Sequence, residues 1–489
     1  MARRTRREFL EDSMFATAAA VAANAAPNLF ADEEKPSKSP NETLGVAVVG
    51  VNGRGNSHIS AFAGRSDTEI LYVCDVDREI GPKRAEEVGK RQGGRTPKFV
   101  EDIRKLLEDP KVDIVSIATP NHWHALGAIW SIQAGKDVYV KKPVSHNVSE
   151  GRRIVEAARK HNRICQTGTQ SRSNPGMIGV MEYLHSGKLG EVKLARGLCY
   201  KPRGSIGPRG TFEPPANVNY DLWCGPAPAG PVTRSRFHYD WHWQWDYGNG
   251  DLGNQGIHQM DLCRWALGEK SLSRTVLSYG GRFGYEDAGE TANTQLVIHD
   301  YGKKSLVFEV RGLKTPRLKD VSVGLIVECT DGFAVIPSYE AGSVFDKDGK
   351  ELESFKGGGD NLHFANFLKA VRSRKHTDLT ADVEEGHLSS ALCHLGNISY
   401  RLGADLPATE LLPSLEKFPH NDNFQDTMQR TLDHLRDNGI IVDNNLKVRM
   451  GLQLAIDTAA ENFPNQPAAN AMLTREYRAP FVVPAPGQV

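Results

Sequence analysis

From Leu44 the chain alternates short apolar runs with longer amphipathic ones. "LGVAVVG", "EILYVCD", "VDIVSIATP", "DVYVKKP" and "RICQTGT" read as strands. Between them, "NSHISAFAG", "VEDIRKLLEDP", "HALGAIWSIQAG" and "SEGRRIVEAARKHN" carry apolar residues at helical spacing. Gly135 closes the third of these helices, and Ser149 is the expected N-cap of the fourth. Strands that are apolar throughout and separated by helices belong to a parallel sheet covered on both faces. The pattern therefore predicts an α/β, doubly wound domain over residues 44–168.

After residue 170 the rhythm changes. "MIGVMEYLHSGKLG" predicts a helix, and a loop rich in Gly, Pro and aromatic residues runs from about 200 to 247. "TQLVIHD", "SLVFEV" and "VGLIVECT", bounded by turn residues, predict a mostly antiparallel open sheet. "NLHFANFLKAV" and "EEGHLSSALCHLGNISYRLG" predict late helices. Residues 169–410 thus read as an α+β substrate and oligomerisation domain, and 411–489 as an extension packed on the body.

Composition narrows the class. A chain of 489 residues, 39% hydrophobic and 25% charged, is long enough for two cores and reads as soluble and globular. Sixty basic residues balance 60 acidic ones, which argues against nucleic acid or a membrane surface as a partner through bulk charge. The first residues stand apart: Arg6 and Arg7 precede Phe9, Leu10 and an alanine-rich run too short and soft to span a bilayer. This is the pattern of a twin-arginine export signal over 1–31, followed by a charged linker over 32–43, and it predicts a periplasmic location. The 7 cysteines show no CxxC pair, so they are expected as buried thiols, Cys74 and Cys165 within strands.

Candidate chemistry begins in "GVAVVGVNGRG", where Gly50, Gly53 and Gly55 follow the first strand directly. The common dinucleotide fingerprint would place glycines at 50, 52 and 55; here Asn52 holds the middle place and tolerates a left-handed backbone, with Gly53 giving room. Pyrophosphate would rest on amides around Arg54 and Gly55, at a helix N-terminus. Asp75 ends the second strand, where a carboxylate accepts from an adenosine ribose and disfavours a 2′-phosphate. NAD is therefore expected over NADP. His122, His124, His238, His242 and His258 match no closed zinc spacing, so no metal is expected.

"TPNHWHALGAIWSIQAGKDVYVKKPV" resembles the Gfo/Idh/MocA oxidoreductases, which carry a TPN-x-x-H segment, an AGK turn and a strand ending in Glu-Lys-Pro. The resemblance runs from about 44 to 410 and includes "GKLGEV". It implies cofactor contacts at Thr119, Pro120, Asn121, His124 and Gln170, a catalytic Lys142, and Arg172 near cofactor and substrate. "GNGDLGNQGIHQMDLCRWALG" matches the family's D-x-G-x-H-x-x-D segment, with His258 as base or relay and Asp261 at the substrate. Two positions depart from the pattern: Lys141 replaces the glutamate, and Asn254 replaces the first aspartate. Were the stretch one helix, Asp251 would reach the cleft a turn before Asn254.

Strand side chains alternate, so only one of the two lysines need enter the cleft. If both do, charges about 6 Å apart at an effective dielectric of ~20 repel by about 3 kcal/mol, which depresses a lysine toward neutrality near pH 8. Tyr239, Trp241, Trp243, Trp245 and Tyr247 would share one face of an extended segment, and Trp243 is a candidate platform for a sugar ring. The resemblance implies an NAD-dependent oxidation of a sugar or cyclitol hydroxyl, in a homo-oligomer built through the second-domain sheet. Two alternatives stand beside it: an NAD-dependent glycoside hydrolase using transient redox, and a non-catalytic sugar-binding protein, which Lys141 and Asn254 favour.

Overall fold

Six strands, β1 (Leu44–Val49), β2 (Thr68–Cys74), β3 (Lys98–Val100), β4 (Ile114–Ile117), β5 (Asp137–Val140) and β6 (Cys165–Thr167), form one parallel sheet in the order β3-β2-β1-β4-β5-β6. The order reverses between β1 and β4, and ligands of doubly wound sheets bind at the carboxyl ends of the strands at such a point. The computed structural model describes residues 43–489 apart from 416, 417 and 419. The expected export signal and nearly all of the linker after it lie outside the described residues. Helix Ile80–Arg91 is absent from the sequence reading because few of its side chains are apolar; it rests on Ala85, Val88 and two glycines. The cap of helix Val148–Lys160 is Asn147 rather than Ser149: the Asn147 side chain accepts from the Glu150 amide at 2.9 Å.

The second sheet is larger and opens from β7 (Val192–Tyr200) at its centre. On one side lie β11 (Val323–Cys329), β12 (Gly332–Ile336), β13 (Ala341–Asp346) and β14 (Glu351–Lys356); on the other lie β10 (Ser305–Arg311), β9 (Thr294–Asp300) and β8 (Thr275–Gly281). Among the described residues, only β7 and β10 pair in parallel in this sheet; the other neighbours are antiparallel, as the sequence predicts. Helices Pro175–His185, Gly256–Leu267 and Val383–Arg401 cover one face through an apolar core. The other face is covered by the chain itself. Leu411, Leu415, Phe424, Met428 and Leu432 seal Leu277, Leu296, Ile298 and Val307. Glu309 lies buried in this joint among Arg196, Arg311 and Arg430; burial alone would raise its carboxyl, but the three guanidiniums hold it well below the usual range.

The segment expected as an appended extension is integral to both domains. β15 (Ala404–Pro407), β16 (Lys447–Met450) and β17 (Leu454–Ala455) extend the second sheet beyond β8. The chain then crosses back to the first domain: Glu461 pairs with Arg152 and His387, and the Tyr477 hydroxyl donates to Glu150 at 3.2 Å. Phe481, Val483 and Val489 complete the apolar core beneath helix Asn121–Gln133. All seven cysteines are free thiols.

Phe481 is 1% exposed and packs edge-on against Trp123, 5.5 Å between ring centres. Phe481→Ala should lower the unfolding free energy by about 3–5 kcal/mol, the range for deleting a buried aromatic side chain. Denaturant unfolding followed by tryptophan fluorescence measures it, and a loss under about 1 kcal/mol would contradict this packing role.

Candidate functional site

The turn after β1 is fixed by backbone chemistry. The Gly50 amide donates to the Cys74 carbonyl and the Val51 amide to the Asp75 carboxylate, each at 2.8 Å. Gly50 has φ +78°, and a Cβ there would lie 2.7 Å from the Thr119 nitrogen. At Gly55 a Cβ would lie 2.0 Å from the Gly50 oxygen, so helix Gly55–Phe62 sits tightly on the turn. Gly53, at φ +63°, faces open space: a Cβ there would meet nothing within 4 Å. Asn52 does not take the left-handed conformation considered from sequence; Gly50 and Gly53 supply the positive φ. No side chain caps the first turn of helix Gly55–Phe62, which leaves that end for a ligand.

One cavity of about 580 Å³ runs from this turn to the second domain. Asp75, Glu101 and Asp102 line one end; Gly50, Asn52, Gly53, Arg54, Thr119 and Pro120 line the middle. Lys141, Lys142, Gln170, Asn254, His258 and Tyr339 line the other end. Each Asp75 oxygen accepts one backbone amide, from Val51 or Asp77, and retains lone-pair capacity for a ribose hydroxyl. Burial raises the Asp75 carboxyl somewhat. Volume, uncapped helix end and free carboxylate capacity together fit a dinucleotide. Residues 217–243 roof the acidic end: Asn217 donates to Asp77 at 2.8 Å, and the Trp123 indole donates to the Leu222 carbonyl at 2.8 Å.

β5 ends at Val140, and both lysines that follow enter the cavity. The backbone leaves the strand at this point, so strict alternation no longer separates them. The Lys142 ammonium donates to the Asn254 carbonyl; the Lys142–Pro143 peptide is cis. Burial, then Lys141 and Arg54, hold Lys142 well below the ordinary lysine value. Burial and Arg54 bring Lys141 down to about 8. Arg54 itself pairs with Asp360 at 2.6 Å, and Gln170, with its amide oriented to satisfy both neighbours, accepts from Arg54 at 2.9 Å and donates to the Gly168 carbonyl.

His258 comes from helix Gly256–Leu267 and meets the Tyr339 ring at 4.9 Å between centres. Burial, then Lys142, Arg54 and Lys141, depress its imidazole well below 6.5, so it is neutral at neutral pH and able to accept a proton. The stretch is not one helix: Gly250–Asn254 and Gly256–Leu267 are separated at Gln255. That break frees the Asn254 carbonyl that Lys142 takes. Gln255 is held by Lys201 at 3.2 Å and donates to the Tyr339 hydroxyl.

Several residues singled out from sequence lie behind the cavity rather than in it. Asp251 does not reach the cleft; it is buried in a two-pronged pair with Arg203, at 2.8 and 3.0 Å. Arg172 and Asp261 are not among the residues lining the cavity; they pair with each other at 2.8 Å, with Ser389 donating to Asp261. His124 braces the loops: its ring nitrogens lie 2.5 Å from the Pro143 carbonyl and 2.8 Å from that of Thr119. Asn121 is buried at the start of helix Asn121–Gln133. The aromatic stretch is not extended, because Asp240–Trp243 forms a 3-10 turn. Trp243 therefore packs inward with Ile206 and Ala288, while Tyr239, Trp241 and His242 reach the cavity. Tyr339 and Trp223 had no sequence signal; Tyr339 arrives from the turn between β12 and β13, and Trp223 from the short helix Tyr220–Cys224.

A parallel sheet with a glycine turn at its switch point, facing a large antiparallel sheet across one cavity, defines a two-domain dinucleotide-binding protein. Residues 44–169 match the NAD-binding Rossmann fold of the Gfo/Idh/MocA oxidoreductase family, and residues 209–297 match the family's C-terminal alpha/beta domain. Over these residues the chain has the two domains of that family, and the first is an NAD-binding domain. It is 27% identical over 241 residues to levoglucosan dehydrogenase of Pseudarthrobacter phenanthrenivorans, covering 48% of this chain and 54% of that protein. It is also 27% identical over 201 residues to alpha-N-acetylgalactosaminidase of Shewanella oneidensis, covering 38% and 44%. The matched stretches thus span about half the length of these curated relatives. The fold is shared with the WlbA dehydrogenase of Bordetella pertussis, crystallised with NADH and UDP-GlcNAcA (TM-score 0.55, 19% identity, 73% of this chain and 97% of that one). It is shared equally with levoglucosan dehydrogenase crystallised with NADH and levoglucosan (TM-score 0.55, 18% identity, 73% and 97%).

Gly50→Ala forces its new carbon into the Thr119 backbone, so NADH affinity should fall at least tenfold in a fluorescence titration. Wild-type affinity in that variant would contradict the close approach. His258, observed by NMR of ring-labelled histidine, should show no titration around pH 6.5 and should charge only well below it.

Proposed function

We propose that this chain is an NAD-dependent dehydrogenase that oxidises a hydroxyl of a sugar or cyclitol. The observation that supports this reading is the presence of Lys142 and His258, from different domains, in the same cavity as the glycine turn. NAD, when bound, supplies the hydride acceptor. His258, neutral and without a ring hydrogen bond among the described residues, is placed to take the hydroxyl proton. Lys142 donates to the oxygen as negative charge grows on it, and the Asn254 carbonyl and cavity wall hold it in place.

A second reading is a glycoside hydrolase that uses bound NAD transiently, oxidising a sugar and re-reducing it. The similarity to alpha-N-acetylgalactosaminidase favours it. Net NADH formation with free sugars supports the dehydrogenase; cleavage of nitrophenyl glycosides without net NADH supports the hydrolase. Ligand binding without either activity would support a non-catalytic binding protein. The leader with Arg6 and Arg7 supports export of the folded, cofactor-loaded chain to the periplasm, which fractionation of cells expressing the full chain tests.

Lys142→Met should lose at least a thousandfold in kcat while retaining bound cofactor, and His258→Gln about 10²–10⁴-fold, the usual contribution of a positioned base. Turnover intact in Lys142→Met would end the assignment.

A further inference from the structure

Three cationic side chains, Arg54, Lys141 and Lys142, line the cavity, and two have partners within the protein. Arg54 pairs with Asp360 at 2.6 Å, and Lys142 donates to the Asn254 carbonyl while feeling the favourable charge of Asp251. Lys141 differs. Among the described residues its ammonium makes no ion pair or hydrogen bond, and the charge that acts on it is the like charge of Arg54. The carboxylates closest to this region are committed: Asp360 to Arg54, Asp251 to Arg203, and Asp261 to Arg172. The neighbouring imidazoles, His242 and His258, are both held neutral, by burial first and by these cations next. A half-buried ammonium without a counterion is costly. A cavity that keeps one uncompensated positive charge beside its reacting groups is complementary to an anion.

The cofactor's two phosphates would have anchors of their own in the uncapped start of helix Gly55–Phe62 and Arg54. Lys141 follows β5 directly, beside Lys142, and lines the same cavity. It also stands where the family resemblance has a glutamate, so the charge at this spot is reversed by two units. Resting on the dehydrogenase reading, we propose that the substrate is an acidic sugar, a hexuronic acid or its glycoside, whose carboxylate pairs with the Lys141 ammonium. Lys141 is then a specificity-determining residue: it leaves proton and hydride transfer to Lys142, His258 and the cofactor, and selects the ring that reaches them.

The test uses the full chain saturated with NADH and matched probe pairs: methyl D-glucuronide against methyl D-glucoside, and methyl D-galacturonide against methyl D-galactoside. Calorimetric titration should give at least a tenfold preference for an acidic member. Lys141→Gln should remove the preference, and Lys141→Arg should keep it. Equal affinity within both pairs, or a preference that survives Lys141→Gln, overturns the proposal. A Lys141→Gln variant that loses NADH affinity but keeps its sugar preference also overturns it, by assigning Lys141 to the cofactor phosphates. Net NADH formation from neutral sugars alone would sink the acidic-sugar proposal and leave the dehydrogenase reading standing. Failure to bind any NADH would sink the dehydrogenase reading itself.

Discussion

The ammonium of Lys142 rests on the backbone oxygen of Asn254, and this single contact joins the two halves of the molecule where the chemistry would occur. It requires a parallel strand that ends at Val140, so that the next two side chains emerge at the mouth of the sheet. It also requires a helix that stops at Asn254, so that a carbonyl is left without its usual amide. Either element displaced by one turn would move the lysine away from His258. Much of the surrounding structure serves to hold these two ends in place: His124 between the carbonyls of Thr119 and Pro143, Asp251 locked to Arg203, and Asp261 to Arg172 and Ser389.

Electrostatics inside the cavity then follow from placement. Burial first, and then the crowding of Lys142, Arg54 and Lys141 around it, keeps His258 neutral without a carboxylate partner. The cost is borne by the fold, through Asp360 on Arg54 and the buried pairs behind the cavity. Lys142 and His258 are thus both pushed toward their neutral forms by the same surroundings.

The local parts of this architecture are legible in the sequence. Strand and helix alternation, the glycine turn with Asp75, and Lys142 and His258 as cavity residues all rest on short-range pattern or on motif spacing. What the sequence conceals is long-range pairing. Nothing near Asp251 announces that Arg203 will claim both of its oxygens, and nothing near Arg172 announces Asp261. Both read as cavity residues because charge in a motif suggests chemistry, yet their partners turn them into struts. The aromatic stretch misleads for a different reason: alternate spacing predicts one shared face only in an extended chain, and the turn at Asp240–Trp243 distributes the rings to both sides. Lys141 is ambiguous for the same geometric reason, since strict alternation stops where the strand does.

The return of the chain to its first domain has a bearing on how the protein comes to be folded. The layer beneath helix Asn121–Gln133 takes Phe481, Val483 and Val489 into an apolar cluster otherwise made from residues of the early strands and helices. During vectorial synthesis those early segments emerge long before their last packing partners. The apolar layer of the nucleotide-binding half is therefore completed only once residues 481–489 have been made, more than 300 residues after its own last strand.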